Sequence, residues 1–456
     1  MKPFLNPKAA ESSFWNQYYE TLPREKLNAL HLVRLKKVLR HAYDHSPFYR
    51  RKLDEAGVRP EDIRSLDDFK RKVPLTDKSE FLPFQDEHPH YGVTGALPEE
   101  YLAMHYETSG TTGSPLRVPF TLYDFERFGE SWVYGFWGLG MRPQDSFYFA
   151  FQFGLFVGFW SASQGVRRLG AKLYHGGGQT TEGHIRLMQR LRPTVLVCTP
   201  TYALRLAETA QSMGVEPASI GLKYTYHAGE PGPFALPALK KKLDEAWGAT
   251  SGELLGMAEV DSMAPGCPLR EGVHLNETNV FSWIRDPETG QEVGDGQMGE
   301  NIVTSYVNNA QPLINYRTHD LVERHYRCDC GRTWAYFRGV VLGRTDFMVT
   351  VRGTNVYQSA VEKVLGSIPG VSHHYQLVLS TVREMDEMAV KVEPEPDVPS
   401  AKYPELARLV EEGLRATLKV RLEPQIVPPG ALPRYELKTR RIIDERPPER
   451  RRLLER

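Results

Sequence analysis

A short segment rich in hydroxyl groups and glycines is the first candidate for chemistry in this 456-residue chain. Residues 108–115 read TSGTTGSP, so each position before the proline carries a hydroxyl or is a glycine. Glycines let backbone N–H groups turn toward an anion, and hydroxyls add donors, so the segment suits phosphate groups. It lacks the Gly-Lys-Ser/Thr ending of a Walker P-loop. The alternative is a surface turn without a ligand, because loops of this composition are common.

Three cysteines and one histidine form a second candidate, this time for a metal ion. Cys328 and Cys330 are one residue apart and precede a glycine, while Cys267 and His274 lie in a loop with two prolines and two glycines. Three thiolates and one imidazole are the closed ligand set typical of structural zinc, although the usual cysteine pair is spaced more widely. The alternatives are reduced cysteines that never meet and a strained disulfide between Cys328 and Cys330.

The composition excludes several classes of protein. Lys+Arg and Asp+Glu both number 57, so the formal net charge is zero and nothing favours binding to nucleic acid or an anionic membrane. Four cysteines exclude a disulfide scaffold and favour a reducing compartment, and the N-terminal residues lack the apolar stretch of a signal peptide. The most apolar run, 147–160, is too short for a bilayer and is expected to be buried. We therefore expect a cytoplasmic, enzyme-sized protein of two or three domains.

Two hydrophobic patterns divide the chain. The first hundred residues look mostly helical, with a helix over 25–40 that Ser46-Pro47 would end. From about residue 106, short β-branched or aromatic runs alternate with helical stretches, which favours βαβ units and largely parallel sheets. From Gly343 a compact α+β pattern of about a hundred residues follows, the size of one small domain. The pattern predicts strands at 147–151, 194–198, 224–227, 375–379, 387–392 and 425–427, and helices at 181–191, 234–247, 359–368 and 403–419.

The order of short motifs resembles that of the adenylate-forming superfamily. After residues 108–115 come AGEP at 228–231, GMAE at 256–259, YRTHDL at 316–321, GRTD at 343–346 and then Lys438. Within the superfamily the chain resembles the phenylacetate–coenzyme A ligase branch, through residues 170–208 and the run VRGTNVY at 351–357. The resemblance covers nearly the whole chain.

The resemblance implies an α/β fold in two parts. A large N-terminal domain of mixed, largely parallel sheets with helices would precede a small, mobile α+β C-terminal domain, hinged at Asp346. This hinge agrees with the change of pattern at Gly343. We expect a helical N-terminal part of the large domain at 1–100, an AMP-binding core at 101–342, the mobile domain at 343–446 and a charged tail at 447–456.

The resemblance also implies a reaction in two halves. A carboxylate attacks the α-phosphate of ATP to give an acyl-adenylate and pyrophosphate, and a thiol, usually coenzyme A, then displaces AMP. Catalysis would depend on Lys438, which brings positive charge to the reacting groups, and on Glu259, which holds Mg²⁺. Asp320 would accept hydrogen bonds from the ribose, with Arg344 close by. The other nucleotide-binding residues implied are Ser109, Gly110, Thr111, Thr112, Gly113, Ala228, Gly229, Glu230 and Pro231.

Four positions depart from the family pattern. Leu255 stands where an aromatic residue usually stacks on adenine, and Ala258 replaces a customary Ser or Thr. His319 and Leu437 stand where glycine is common, before the ribose-binding Asp and before the Lys. These changes leave nucleotide preference and rate open.

Aromatic residues provide the only sequence signal for the acid. Those at 132–137 and 147–160 could form an acyl pocket, although such residues more often belong to the core. The branch resemblance favours an aromatic or arylacetic acid, with a small branched or hydroxylated acid as the alternative. The expected partners are the acid and coenzyme A, without nucleic acid or membrane, and a homodimer is possible.

Three functions remain to be distinguished. The first is an ATP-dependent acid–CoA ligase, and the second an adenylating enzyme that passes the acyl group to a carrier protein or an amine. The third is a nucleotide-binding protein without catalysis, which the presence of Glu259, Asp320, Arg344 and Lys438 disfavours. Pyrophosphate release with a panel of acids, with and without coenzyme A, separates them.

Overall fold

The structure is a computed structural model that describes residues 12–87, 90–108, 115–345, 348–351, 354–382, 385–418, 422–433 and 441–446. The α-helices are α1 Gln17–Glu20, α2 Arg24–His45, α3 Pro47–Glu55, α4 Leu66–Lys72, α5 Lys78–Glu87, α6 Leu122–Leu139, α7 Gly158–Leu169, α8 Thr181–Leu191, α9 Pro200–Ser212, α10 Pro237–Trp247, α11 Gln358–Ser367 and α12 Tyr403–Leu418. Short 3₁₀ turns lie at Pro60–Asp62, Gly92–Thr94, Glu99–Tyr101, Pro217–Ile220 and Ser400–Lys402.

The strands form five sheets. They are β1 Met104–Glu107, β2 Arg117–Phe120, β3 Ser146–Phe149, β4 Lys172–His175, β5 Val195–Cys198, β6 Tyr224–His227, β7 Thr250–Met257, β8 Asp261–Pro265, β9 Gly272–His274, β10 Val280–Arg285, β11 Met298–Ser305, β12 Tyr316–His325, β13 Tyr336–Arg344, β14 Met348–Val351, β15 Thr354–Tyr357, β16 Val371–Val382, β17 Met385–Pro394, β18 Glu423–Ile426 and β19 Ile442–Asp444. Two of the sheets, β1–β2 and β14–β15, are antiparallel hairpins.

The N-terminal helices cover one side of the large region. Leu27, Leu35 and Leu39 of α2 point inward at helical spacing and are fully buried. The helix ends before Ser46, whose hydroxyl accepts a hydrogen bond from the Tyr49 N–H while Pro47 opens α3. The predicted helix and its end at Ser46-Pro47 are therefore confirmed.

A six-stranded sheet lies between two layers of helices. Its order is β4-β3-β5-β6-β7-β8, and neighbouring strands are parallel except β7 and β8. In β5, Val195 and Val197 pack with α6 and α7, while Leu196 and Cys198 pack with α8, α9 and α10. Because both faces of the sheet are covered, its central strands β3, β5 and β6 are largely buried, and these are the strands that the sequence pattern located.

The second large sheet is antiparallel throughout, a feature that the sequence pattern did not anticipate. Its order is β10-β11-β12-β13-β9. Seven of the eight residues of β11 are buried. Burial on both faces removes the alternation that would have distinguished this sheet from a parallel one. This sheet shares its core with the N-terminal helices and the β1–β2 hairpin.

The C-terminal region has a core of its own. Residues from Val356 onward form a hydrophobic cluster in which α11 and α12 pack on a four-stranded sheet of order β18-β17-β16-β19. Val361, Val390 and Leu414 are fully buried there. The elements fall where the pattern predicts them, and the predicted α/β fold class is confirmed.

The apolar run at 147–160 differs from its expectation. Its first three residues lie in the buried strand β3, but Leu155, Phe156 and Trp160 are exposed by 51%, 38% and 38% of their surface. The expectation of a wholly buried segment was wrong, because the chain leaves the sheet after Phe149 and crosses the surface before α7. Among the described helices, none combines the length and the apolar character needed to cross a bilayer.

Candidate active site

The predicted phosphate-binding segment is the loop of the β1–β2 hairpin. Thr108 and Leu116 close it, because the Thr108 N–H donates to the Leu116 carbonyl at 3.0 Å and the Leu116 N–H donates to Thr108 Oγ1 at 2.9 Å. The predicted ligands Ser109, Gly110, Thr111, Thr112 and Gly113 lie outside the described residues.

A lysine that sequence reasoning missed stands beside this loop. Lys78, the first residue of α5, donates from Nζ to Thr108 Oγ1 at 3.1 Å. The preceding Asp77 caps α5 and accepts from the Ser79 N–H, while its own N–H donates to Glu80. Asp followed three residues later by Glu is a recognisable helix start, so the pattern could have located α5 but not the role of its lysine.

Residues 76 and 77 connect this flank to the motif at 316–321. Thr76 forms an isolated parallel bridge with Tyr316, and its carbonyl accepts from the Arg317 N–H at 2.9 Å. The N-terminal region is thereby hydrogen-bonded to the antiparallel sheet at the start of β12.

Glu259 follows β7 and is buried rather than on the surface. The Tyr316 hydroxyl donates to its Oε1 at 3.0 Å, and Asn308 donates to its backbone carbonyl. Burial, followed by the charge of Glu259, raises the pKa of Tyr316 well above its ordinary value, so the phenol keeps its proton and acts as the donor. A carboxylate held in place by a neutral donor has the oxygen chemistry that Mg²⁺ prefers, so this residue fits the predicted magnesium ligand.

Asp320 and Arg344 meet across two strands. They are register partners in β12 and β13, and Arg344 Nη1 donates to Asp320 Oδ1 at 2.7 Å. Asp320 is 5% exposed, whereas a third of the Arg344 side chain is in contact with solvent. The two predicted ribose-site residues are thus adjacent, and Asp320 is neither a helix cap nor a surface residue.

His319 adopts a backbone conformation that favours glycine. Its φ is +61°, which explains why glycine is common at this position, and a histidine there has a cost of about 1–3 kcal/mol. Its ring contacts Asp77 Oδ2 at 2.8 Å and Thr345 Oγ1 at 3.0 Å. Burial raises the pKa of Asp77, but hydrogen bonds from His319 and Ser79 outweigh it and hold that pKa below its ordinary value. The departure at His319 is therefore compensated by the hydrogen bonds of its ring to Asp77 and Thr345.

Two of the other departures lie beside the core. Leu255 and Ala258 are half-buried and pack against the core beneath the antiparallel sheet. Leu437 lies outside the described residues.

The predicted adenine-pocket residues begin directly after β6. Ala228 is half-buried, and Gly229 has a φ of +88°, which turns the chain sharply at the edge of the parallel sheet. Glu230 accepts hydrogen bonds from the hydroxyl and N–H of Thr201 at 2.6 and 3.3 Å, so it is tied to the first turn of α9. Pro231 lies beside Glu230 in the lining of a cavity at this edge.

A buried carboxyl group supports this turn from below. Glu253 of β7 lies so close to Gly232 that a Cβ at that glycine would be 1.5 Å from Glu253 Oε2. Burial raises the pKa of Glu253 to about 8, although the backbone N–H groups of Phe234 and Ala235 act to lower it. The group is therefore neutral up to about that pH.

The aromatic residues considered for the acid divide into two groups. Trp132, Tyr134, Phe136 and Trp137 are 3% exposed or less and belong to the core. The exposed part of the run at 147–160 lies beside the phosphate-binding segment, because the Glu107 N–H donates to the Leu155 carbonyl at 2.8 Å.

The C-terminal region meets the large region near Glu230. A cavity between them is lined by Thr201 and Glu230 on one side and by Glu362, His373 and Arg441 on the other. Lys242 of α10 also pairs with Glu395. The predicted hinge Asp346 and the predicted catalytic Lys438 lie outside the described residues.

The four predicted zinc ligands form a separate cluster. The ligand atoms of Cys267, His274, Cys328 and Cys330 all lie within 4.8 Å of one another. None of the four contributes to the hydrogen bonds described above for the nucleotide site.

Comparison with known proteins places these observations in a family. A model described as AMP-binding enzyme matches residues 29–310, and one described as AMP-binding enzyme C-terminal domain matches residues 353–446. A phenylacetate–coenzyme A ligase of Thermus thermophilus is 38% identical over 94% of this chain and 98% of its own length.

Solved structures also cover the chain. A 2-hydroxyisobutyryl-CoA ligase in the postadenylation state, bound to 2-HIB-AMP, is 30% identical and matches 100% of this chain and 96% of its own with a TM-score of 0.91. The same enzyme in the thioesterification state, with 2-HIB-AMP and CoA, matches 100% of this chain and 97% of its own with a TM-score of 0.73. The arrangement of the two regions here is therefore closer to the postadenylation state. The motifs, the two matched family models and these relatives agree, and the chain belongs to the AMP-binding enzyme family of adenylate-forming ligases, within its phenylacetate–CoA ligase-like branch.

Proposed function

We propose that this protein is an ATP-dependent carboxylic acid–CoA ligase that forms AMP through an acyl-adenylate. A carboxylate oxygen bonds to the α-phosphorus of ATP as the bond to the pyrophosphate oxygen breaks. The coenzyme A sulfur then bonds to the acyl carbon, loses its proton, and AMP departs with one of the original carboxylate oxygens. The observation that carries the proposal is a set of contacts that joins separated motifs. Lys78 bonds to Thr108, Thr76 bridges to Tyr316, and Tyr316 donates to Glu259.

The described residues have distinct roles in this proposal. Asp320 accepts hydrogen bonds from the ribose hydroxyls while Arg344 holds its carboxylate in position. Lys78 adds a positive charge beside the phosphate-binding segment, where pyrophosphate accumulates charge as it leaves. The turn at Ala228–Pro231 borders the adenine. Ser109–Gly113 and Lys438 complete the site through their positions in the family pattern.

Glu259 is the proposed residue for Mg²⁺. When bound, the ion neutralises charge on the phosphates and aligns them for displacement. The role of the protein is to hold the carboxylate in position, which the Tyr316 hydroxyl does by donating to it. Zinc, the other predicted metal, has no part in this reaction.

The proposed acid is aromatic or arylacetic. The phenylacetate–CoA ligase relatives support this class, and so does the exposed apolar surface made by Leu155, Phe156 and Trp160 next to residue 108. Phe156→Ala should raise KM for phenylacetate about fivefold to tenfold or more, by loss of one aromatic contact, and leave KM for ATP unchanged. Tyr101→Ala, another exposed aromatic residue, is the control. Equal effects on both KM values would remove Phe156 from the acid site.

A small hydroxylated acid is the second candidate. It is favoured by the match to 2-hydroxyisobutyryl-CoA ligase over the whole chain. The two candidates predict opposite orders of kcat/KM for phenylacetate and 2-hydroxyisobutyrate.

We further propose that residues 343–446 move between the half-reactions, with Asp346 as the hinge. The separate core of the C-terminal region and the closer likeness to the postadenylation state support this motion. The large domain would then comprise the helical part at 1–100 and the AMP-binding core at 101–342.

One experiment tests the function. Purified protein is incubated with ATP, Mg²⁺ and a panel of carboxylic acids, with and without coenzyme A, and pyrophosphate and thiol consumption are measured. We expect acid-dependent pyrophosphate release followed by thiol consumption. Pyrophosphate release without thiol consumption would instead favour a carrier protein or an amine as acceptor, and no release with any acid would contradict catalysis.

The cytoplasm is the proposed location, because four unpaired cysteines suit a reducing compartment. A homodimer stays a prediction that light scattering of the purified protein tests.

A further inference from the structure

The cysteine–histidine cluster has the dimensions of a tetrahedral metal site. Zn–S bonds of about 2.3 Å and Zn–N bonds of about 2.0–2.1 Å place the ligand atoms of a tetrahedron roughly 3.5–3.8 Å apart. The Cys267 Sγ–Cys328 Sγ distance of 3.6 Å lies in this range, and the His274 Nε2–Cys330 Sγ distance of 3.1 Å is shorter, so these last two ligand atoms would separate slightly around an ion. The sulfur–sulfur distance is far longer than the ~2.05 Å of a disulfide bond, and all four cysteines of the chain are free.

The histidine is oriented as metal-binding histidines are. His274 is 1% exposed, and its Nδ1 lies 3.2 Å from the carbonyl oxygen of Trp334. A carbonyl can only accept, so Nδ1 carries the proton and Nε2 directs its lone pair at the thiols. A hydrogen-bond acceptor at the other ring nitrogen fixes the tautomer that binds a metal.

Backbone turns next to the cysteines hold the sulfur atoms in position. The Leu269 N–H donates to Cys267 Sγ at 3.4 Å, and the Arg270 N–H donates to the Cys267 carbonyl. On the other side, Gly331 has a φ of +85° and its N–H donates to the Cys328 carbonyl. A glycine is required there because the chain turns back immediately after Cys330.

The cluster joins the edge of the six-stranded sheet to the antiparallel sheet. Cys267 follows β8 at the edge of the six-stranded sheet, His274 ends β9, and Cys328 and Cys330 lie in the loop between β12 and β13. Later in the same loop, residues 332–334 bind the N-terminal segment of the described chain. Arg332 forms a buried ion pair with Glu20 at 2.7 Å, the Thr333 N–H donates to the Glu20 carbonyl, and Trp334 Nε1 donates to the Tyr19 carbonyl.

We propose that Cys267, His274, Cys328 and Cys330 bind one structural zinc ion, and that this ion orders the N-terminal segment 12–24 through residues 331–334. The site is closed, because three thiolates and an imidazole fill the coordination sphere. The ion therefore contributes to folding and not to phosphate chemistry, and the inference does not rest on the proposed ligase activity.

The first test measures metal content. Protein purified without added metal should contain about one zinc per chain, as a closed site of this type does. Cys330→Ser should lose most of it, whereas Cys198→Ser, at a buried cysteine far from the cluster in sequence, should keep it. Zinc near zero, iron in its place, or equal zinc in Cys330→Ser would overturn the proposal. A titration that finds fewer than four thiols in the denatured, unreduced protein would show a disulfide and overturn it too.

A second group of potential ligands provides a competing location. Glu208, His373 and His374 also bring their ligand atoms within 4.8 Å of one another, between the large region and the C-terminal region. His374→Ala should leave the zinc content unchanged. Loss of zinc in that variant, with retention in Cys330→Ser, would place the ion at this second group and contradict the proposal.

The third test follows the N-terminal segment in wild-type protein, so it does not depend on a variant that folds. Removal of zinc by a thiol-directed mercurial and a chelator should speed hydrogen exchange in residues 12–24 and expose Arg24 to trypsin, and zinc should reverse both effects once the mercurial is removed with excess thiol. Cobalt reconstitution should give the visible bands of tetrahedral thiolate coordination. Unchanged protection of residues 12–24 in the zinc-free protein would contradict the second half of the proposal.

Discussion

The hairpin of β12 and β13 carries a different site at each end. At the open end, Asp320 and Arg344 face each other across the two strands, with His319 and Thr345 beside them. At the turn, beyond the end of β12 at His325 and therefore more than about 16 Å of extended strand away, Cys328 and Cys330 join Cys267 and His274. The open end is partly accessible, because a third of the Arg344 side chain is in contact with solvent. The four ligand atoms at the turn face one another.

The difference concerns what each site must do. A reaction site needs positions that substrates can enter, and it needs parts from distant segments, among which we propose Lys438. A structural ion needs all its ligands at once and no opening. One rigid hairpin can serve both because its two ends are too far apart to interfere.

The largest effect is expected from a substitution that disables the reaction site and leaves the cysteine–histidine cluster intact. Lys438→Ala should slow adenylate formation about 10²–10³-fold, because one positive charge on the α-phosphate is lost from the transition state. The thioester step from a supplied acyl-adenylate should continue, since the C-terminal region has then moved away. Stopped-flow measurement of each half-reaction checks this, with the exposed Lys402→Ala as control. Equal losses in both half-reactions would refute the assignment, and zinc content should stay the same.

The next effect concerns the other half-reaction. Asp346→Pro should leave adenylation intact and slow thioester formation about tenfold or more, because proline fixes φ where a hinge must change it. The same two assays apply. Normal thioester formation in this variant would remove Asp346 from the hinge role.

A smaller effect is expected at the open end of the hairpin. Asp320→Asn should raise KM for ATP about tenfold to a hundredfold, because the charge-assisted hydrogen bonds to the ribose and to Arg344 are weakened. Glu323→Gln, on the same strand and paired with His325, is the matched control. An unchanged KM for ATP, or a rise equal to that of the control, would contradict the ribose role.

Sequence reasoning succeeded where residue type alone defined the feature. The parallel strands β3, β5 and β6 were located because they are buried runs of apolar and aromatic residues, whereas β4 and β7 were not predicted. The cluster was found because cysteines are few. It failed where long-range pairing decides the outcome. Lys78 and Asp77 lie about 240 residues from His319 in sequence, and only folding reveals that they belong to the same site. The exposure of Leu155 and Phe156 was missed for the same reason, since composition does not show where a chain leaves a sheet.

The smallest effect concerns β7, which contacts both the adenine turn and the residue before Cys267. Glu253 packs under Gly232 of the adenine turn, and its backbone lies against Gly266, next to Cys267. Its pKa is about 8 in the folded protein and about 4.5 when exposed, so the folded state keeps a proton that the unfolded state loses. Stability should therefore fall as pH rises from about 4.5 to 8.

Glu253→Gln should remove that fall. The difference in melting temperature, variant minus wild type, should be a few degrees larger at pH 9 than at pH 5. This is the size expected for a contribution of about 1–3 kcal/mol to the free energy of unfolding. The exposed Glu245→Gln on α10 should show no such trend. Parallel pH profiles of Glu253→Gln and wild type would show that the pKa of this carboxyl is not raised in the folded protein.

The most direct test of the central claim follows one oxygen atom. The preferred acid of the panel is labelled with ¹⁸O in both carboxylate positions and converted with ATP and coenzyme A, and the nucleotide and phosphate products are analysed by mass spectrometry. An acyl-adenylate requires that AMP receive one ¹⁸O for each thioester formed, while pyrophosphate stays unlabelled. Formation of ADP, or label in phosphate or pyrophosphate and none in AMP, would contradict the account.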